Sequence, residues 1–413
     1  MPYSKSVFFV PVLLNDFVKV SGALRRMEDW EQFSHEELKT NYLLYYAARI
    51  SQDDGLFISC RYKGNTPDVY LFEGHNENKM KSEARAELSE IRFSAFSTDV
   101  GFLEFHINYE NADLDDMRSF AYLFKKSTKG YKEACEQGKQ TLFTVVRNLC
   151  AEVGNAEPFF TATVDFKSEA LGFHYANLPQ DYCGEETLKK QTLMLARSYS
   201  DLFEKINTAS DYDMHYMPAS YDHWSGSTEG LVNVTCLTGD ANTDFYLSNP
   251  GYKRNQLDKD IYFIYLLLLN QRFASIKYIN EVAVTRDEDA EKLSHKILKL
   301  KTVFSFRVIS DDRVCQNVYA RMYKLLDIDA LIEDIKDNES QMDLIWNKNT
   351  VSREKITSAI LFALSLLALF SALIDASTFV DRFGANNLIA TSLGIAFPLL
   401  AVAVGVIFWF KKK

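Results

Sequence analysis

Hydrophobic positions change their spacing twice along this chain. Over residues 1–250 they come in short runs of strand length, separated by stretches with helical period. Val7–Leu14 reads as a buried strand, and Leu56–Tyr62, Val69–Phe72, Phe159–Asp165, Leu171–Ala176, Leu231–Leu237 and Phe245–Leu247 as further strands. Ile91–Thr98 and Phe102–Asn108 alternate apolar and polar residues around Asp99-Val100-Gly101, the pattern of a strand pair with one wet face. Helices are predicted over Glu36–Ile50 (with Ser34 as N-cap), Leu114–Lys126, Gln140–Val153 and Glu185–Ile206. Together these elements predict a cytosolic α+β sensor domain over 1–250.

After Gly251 the pattern becomes helical. From Tyr252 to Phe383 there are 132 residues without Gly or Pro, the residues that punctuate chains. Leu257–Ala283 and Ala290–Val308, parted by the polar Thr285–Asp289, form a helical hairpin over 251–310. The run Ile261–Leu269 is too short to span a bilayer and reads as core. Ser310-Asp311-Asp312 starts a helix whose pattern continues into the apolar C-terminus; from Asp311 to Ile374 it would be roughly 95 Å long. Its stalk part, 311–355, carries Val318, Leu325, Ile332 and Trp346 at one heptad position and Ile328, Ile335 and Met342 three residues on. Such a stripe needs partner helices; partners within the domain and symmetric copies of the chain both fit, and continuity with a membrane span favours the copies.

The C-terminus holds two uncharged apolar runs, 356–374 and 388–410, each long enough to span a bilayer. An outer loop, 375–387, joins them, and a basic tail, 411–413, closes the chain. Lys348, Arg353 and Lys355 before the first run and Lys411–Lys413 after the second place both termini in the cytoplasm of a multi-pass protein of the inner membrane. Ser358, Ser365, Ala368, Ala372 and Asp375 share one helix face. That stripe suits either close helix packing or a pore lining.

Charge and candidate chemistry narrow the classes. A net charge of -10 argues against direct nucleic-acid binding. Six scattered cysteines form neither a zinc motif nor a disulfide framework. The stretch Ser210–Gly230 concentrates Tyr212, His215, Tyr216, His223 and Trp224 without clear period. It reads as a surface loop packed on its own sheet, as a ligand loop whose aromatics stack on a planar group such as a nucleobase while its histidines reach a metal or phosphate, or as a zinc site, for which no third ligand stands at useful spacing. The stalk acids include Asp329, Glu333 and Asp337, one turn apart. They are a solvated face or, around a symmetry axis, a site for Mg²⁺ or another divalent cation between subunits. No nucleotide-loop, zinc-protease or serine-hydrolase motif is present, so an enzyme is not expected; a membrane-anchored enzyme and a poreless scaffold are the alternatives.

In the outer loop, Phe383-Gly384-Ala385-Asn386 resembles the Tyr-Gly-Met-Asn motif of the CorA family of divalent-cation channels, and SDDRVCQNVY over Ser310–Tyr319 resembles the start of that family's stalk helix. The residue-level likeness covers about residues 305–413. It implies a homo-oligomer, five subunits in the family, with Asn386 in a ring at the outer mouth. Ala385 stands where the family has Met, which moves the expectation from magnesium carrier toward the divergent branch associated with type III CRISPR systems. That resemblance implies an antiviral channel or effector gated by a nucleotide second messenger, an S-adenosylmethionine–AMP conjugate. A Mg²⁺ or divalent-cation transporter is the alternative.

Overall fold

A computed structural model of the chain describes residues 3–64, 84–128, 142–159, 170–179, 185–198, 213–237, 249–284 and 287–337, with Leu361 and Ser365 beyond them. The chain forms two compact units, Met1–Asn338 and Glu339–Lys413. The first is built on one ten-stranded mixed sheet.

The N-terminal strand β1 (Ser4–Leu14) lies in the middle of that sheet. On one side follow β5 (Val100–Glu110), β4 (Arg85–Phe96), β3 (Phe57–Tyr62) and β2 (Trp30–Gln32). On the other follow β7 (Leu171–Pro179), β10 (Gly230–Leu237), β9 (Asp222–Ser227) and the edge strand β8 (Met214–Ala219). Every neighbour pair is antiparallel except β10 with β7. The short β6 (Ala156–Pro158) pairs with the end of β1. Pro11 stands where β1 changes partner on that side: pairing to β7 stops at Phe9 and pairing to β6 starts at Val12. A central strand tolerates a proline at such an interruption.

Helices cover both faces, which is why β1 reads as a continuous apolar run. Phe8, Val10, Val12 and Leu14 face a core closed by α1 (Phe17–Leu24), α3 (Leu114–Thr128), α4 (Leu142–Val153) and α5 (Glu185–Ala196). Val7 and Phe9 face a second core. The short α2 (Tyr45–Ala48) and the C-terminal helices close it: α6 (Pro250–Asn255), a π-helical turn (Gln256–Ile261), α7 (Tyr262–Val284), α8 (Asp287–Val303) and α9 (Arg313–Leu325).

The strand pair around Asp99 forms, with Asp99 at φ 58°, but its polar positions do not meet water. Ser94, Glu104 and His106 are buried beneath the helical layer. The helix predicted over Glu36–Ile50 is replaced by turns, a bridge from Leu43 to Ser310, α2 and a 3₁₀ turn (Arg49–Gln52). Ser34 does bond Glu37 as a cap would, but the helix does not continue. Val69–Phe72 and Phe245–Leu247 lie outside the described residues.

The predicted architecture of an α+β domain followed by a long stalk and two transmembrane helices is corrected. The stalk breaks: α9 ends at Leu325, Asp327 takes φ 57°, and a second helical stretch runs over 328–337. Val318, Ile328 and Ile335 of the heptad seam are buried in the core of their own unit, so the stripe finds its partners within the chain. No helix among the described residues is long and apolar enough to cross a membrane. At roughly 35 Å, α7 has the length. Beyond Leu269, however, it carries Asn270, Gln271 and Lys277, which bond to Thr98, to Phe304 and to the carbonyls of Leu14 and Asp99. Transmembrane helices, an ion channel in the bilayer and a multi-pass inner-membrane location are therefore not supported. The runs behind those expectations, 356–374 and 388–410, lie outside the described residues except for Leu361 and Ser365.

Candidate functional site

The stretch read as an aromatic loop is a strand hairpin at the edge of the sheet, β8 and β9, continued into β10. Strand alternation deals its side chains to opposite faces. His215 pairs with Ser225 and Tyr216 with Trp224. On one face, Ser225 Oγ lies 2.7 Å from Thr192 Oγ1 of α5 and 3.4 Å from His215 Nδ1. The His215 and His223 rings are 6.4 Å apart. On the other face, Trp224 is fully buried with Lys253 Nζ 5.4 Å from its ring, and Tyr216 lies under the Arg321 guanidinium of α9 at 4.9 Å. Gly226 lets α9 come close: a Cβ there would stand 2.6 Å from Met322 Sδ.

Between α5 and the hairpin is a small cavity of about 30 Å³, lined by Lys189, Leu193, Asp213, Met214, His215 and Ser225. It has room for about one or two waters, against the ~300–1,000 Å³ of a pocket for a larger ligand. Asp213 is committed to Arg197, whose Nε donates to Oδ1 at 2.9 Å. Among the described residues Lys189 has no carboxylate partner, and His215 Nε2 is buried without a hydrogen bond. Burial, then the charges of Lys189 and His223, holds the His215 pKa below its ordinary value.

A second concentration of polar groups lies on the same sheet under the start of α7. Arg92 and Glu104 stand opposite each other on β4 and β5. Tyr262 donates to Glu104 Oε2, and His106 Nε2 lies 3.3 Å from the same oxygen. Glu90 accepts from Arg92 at 2.6 Å and from Arg61 at 2.5 Å. Burial raises the Glu104 pKa and pushes His106 well below the usual imidazole range. In the adjoining π-helical turn, Asp258 accepts from Lys5 at 2.9 Å and from Tyr175. Asp260 accepts from the amides of Asn41 at 2.7 Å and Tyr42 at 2.8 Å. These contacts fasten α7 to the sheet, and π-helical turns recur where a helix is made to present side chains out of register.

The structure thus divides the predicted ligand residues. His215 and His223 share the face toward α5, Tyr216 lies on the other face under α9 with Trp224 beside Lys253 of α6, and Tyr212 lies outside the described residues. Asp329, Glu333 and Asp337 are exposed, and Asp329 accepts from Tyr323 at 3.0 Å. No group of three or more potential metal ligands is gathered among the described residues. Ser365 is exposed and donates to Leu361 O at 2.8 Å. Ser358, Ala372, Asp375, Phe383, Gly384, Ala385 and Asn386 lie outside the described residues. Sequence reasoning missed Lys189, Thr192 and Ser225, which come from an ordinary amphipathic helix and a Gly/Ser segment. It also missed Arg92, Glu104 and His106, whose alternation imitates a wet face.

No family model matches the chain, and no curated protein or solved structure matches it either.

Proposed function

We propose that this protein is a ligand-switched effector. A nucleotide second messenger enters the cleft between α5 and the β8–β9 hairpin, and α9 carries the change toward the rest of the chain. The observation that supports this reading is the shared hairpin: His215 and Ser225 border the cleft, while their neighbours Tyr216 and Gly226 touch α9. Two strands at a sheet edge cannot shift on one face without shifting the other. The cleft as it stands is too small for a nucleotide, so entry requires α5 and the hairpin to part. A ligand that binds the parted form better moves the equilibrium by its differential affinity. The ligand class, an S-adenosylmethionine–AMP conjugate, rests on the altered motif Phe383–Asn386, in which Ala385 departs from the family pattern, and on the aromatic residues of the hairpin.

Hydrogen exchange on the full chain, with and without the conjugate and with AMP as comparison, tests this reading. The expected result is slowed exchange in α5 and β8–β9 together with altered exchange in α9. Protection confined to the cleft, with α9 unchanged, would remove the switch.

A further inference from the structure

The polar end of the α5–hairpin cleft is, we infer, an oxyanion subsite that takes a phosphate group on Lys189 and His215. This rests on the cleft being the ligand site, but not on the coupling to α9. Two groups there lack partners among the described residues: Lys189 is half-buried with no carboxylate within ion-pair distance, and His215 Nε2 is buried and unbonded. Ser225 Oγ completes the lining, backed by Thr192. A buried polar atom without a hydrogen bond is costly, and with an ammonium beside it the cavity favours an acceptor-rich guest. A phosphate group offers three strong acceptor oxygens and is far smaller than a whole nucleotide, so it asks for the least widening of a cavity of about 30 Å³.

Charges near the cavity leave the balance to the ligand. The Asp213 carboxylate is already held by Arg197. Glu185 and Glu186, in the first turn of α5, are exposed and oppose an anion only through solvent. His215 feels Lys189 and His223 on the positive side and these two glutamates on the negative side, and burial keeps its ring neutral. An oxyanion on Nε2 reverses that preference, because a neighbouring negative charge favours the imidazolium. Binding therefore takes up a proton at His215, and affinity falls as pH rises through the imidazole range.

Calorimetry on the full chain with inorganic phosphate, AMP and sulfate tests the subsite; sulfate keeps its charge fixed, so its pH dependence reports the protein. All three oxyanions are expected to saturate one site. Lys189→Ala is expected to weaken them by about tenfold or more. His215→Gln is expected to abolish the proton uptake seen when buffers of different ionisation enthalpy are compared, while keeping the parent's thermal midpoint. Unchanged affinity in Lys189→Ala, or proton uptake that survives in His215→Gln, overturns the assignment. If the nucleotide response of α9 persists in Lys189→Ala with full affinity, the subsite fails and the switch stands. If phosphate binds as described and α9 never responds, the switch fails and the subsite stands.

Discussion

Gly226 of β9 and Met322 of α9 meet where no side chain fits: a Cβ on the glycine would lie 2.6 Å from the methionine sulfur, with Met214 Cβ at 3.4 Å and Leu325 Cδ2 at 3.5 Å. Gly226→Ala is expected to displace the Met322 side chain and lift α9 slightly, at a cost of about 1–3 kcal/mol. Denaturant unfolding measures the loss. Hydrogen exchange should show it concentrated in α9 rather than in β1 or β5, and evenly spread exchange would contradict the close packing.

The helix break at Asp327 is a second point of control. Its φ of 57° is left-handed, a conformation in which a Cβ costs about 1–2 kcal/mol and glycine costs little. Asp327→Gly is expected to be neutral or mildly stabilising, and Asp327→Ala to be less stable than the glycine variant by about 1 kcal/mol. Equal stabilities in chemical denaturation would mean that the chain straightens there at no cost.

His174 sets part of the acid limit of the fold. It is fully buried, with Nδ1 2.7 Å from Ser6 Oγ and its ring edge-on to Phe8, and burial lowers its pKa from 6.5 to about 3. The unfolded chain binds this proton more readily than the folded one. Its contribution is therefore present above pH 6.5 and is lost as pH falls toward 3, an effect on the order of 4 kcal/mol. His174→Gln should flatten the stability profile across that window in urea titrations. An unchanged slope would show that the imidazole is reached by water.

Glu104 works in the opposite direction. Burial raises its pKa, so its contribution to stability is full below the ordinary carboxylate value and is lost as pH rises through the raised one. Glu104→Gln keeps the shape and the Tyr262 contact without titrating. The stability of the variant relative to the parent should rise as pH rises above about 4.5. A constant difference would place the carboxylate in a solvated site.

These pairs also show which features were legible beforehand. β1, β5, β7 and β10 were readable because their apolar runs have strand length and neighbouring turn residues, and α3 and α4 because their apolar residues recur at helical spacing. The burial of Glu104 was not, because its partners Arg92 and Tyr262 come from another strand and from a helix 158 residues away. The β8–β9 hairpin hid because its inward positions include His223, Ser225 and Ser227 rather than a row of apolar residues. The stalk misled for a related reason. Its heptad spacing marks a buried stripe correctly but cannot say whose surface buries it, and Asp327 breaks the helix without a Gly or Pro to announce it.

The place of β1 at the centre of the sheet has a temporal meaning. β1 is made before all the strands it pairs with, β5 and β7, and the Val7 and Phe9 side of it is covered by residues 257–335. Such pairings lie far apart along the chain, so loop-closure entropy is spent well before the contacts that offset it, and folding should be slow. Until α7 arrives, β1 has an open apolar face, and a chain cut after residue 250 keeps that face permanently. The helices after residue 250 are in this sense the last-installed half of the domain's own core, and no shortened N-terminal fragment is expected to stand without them.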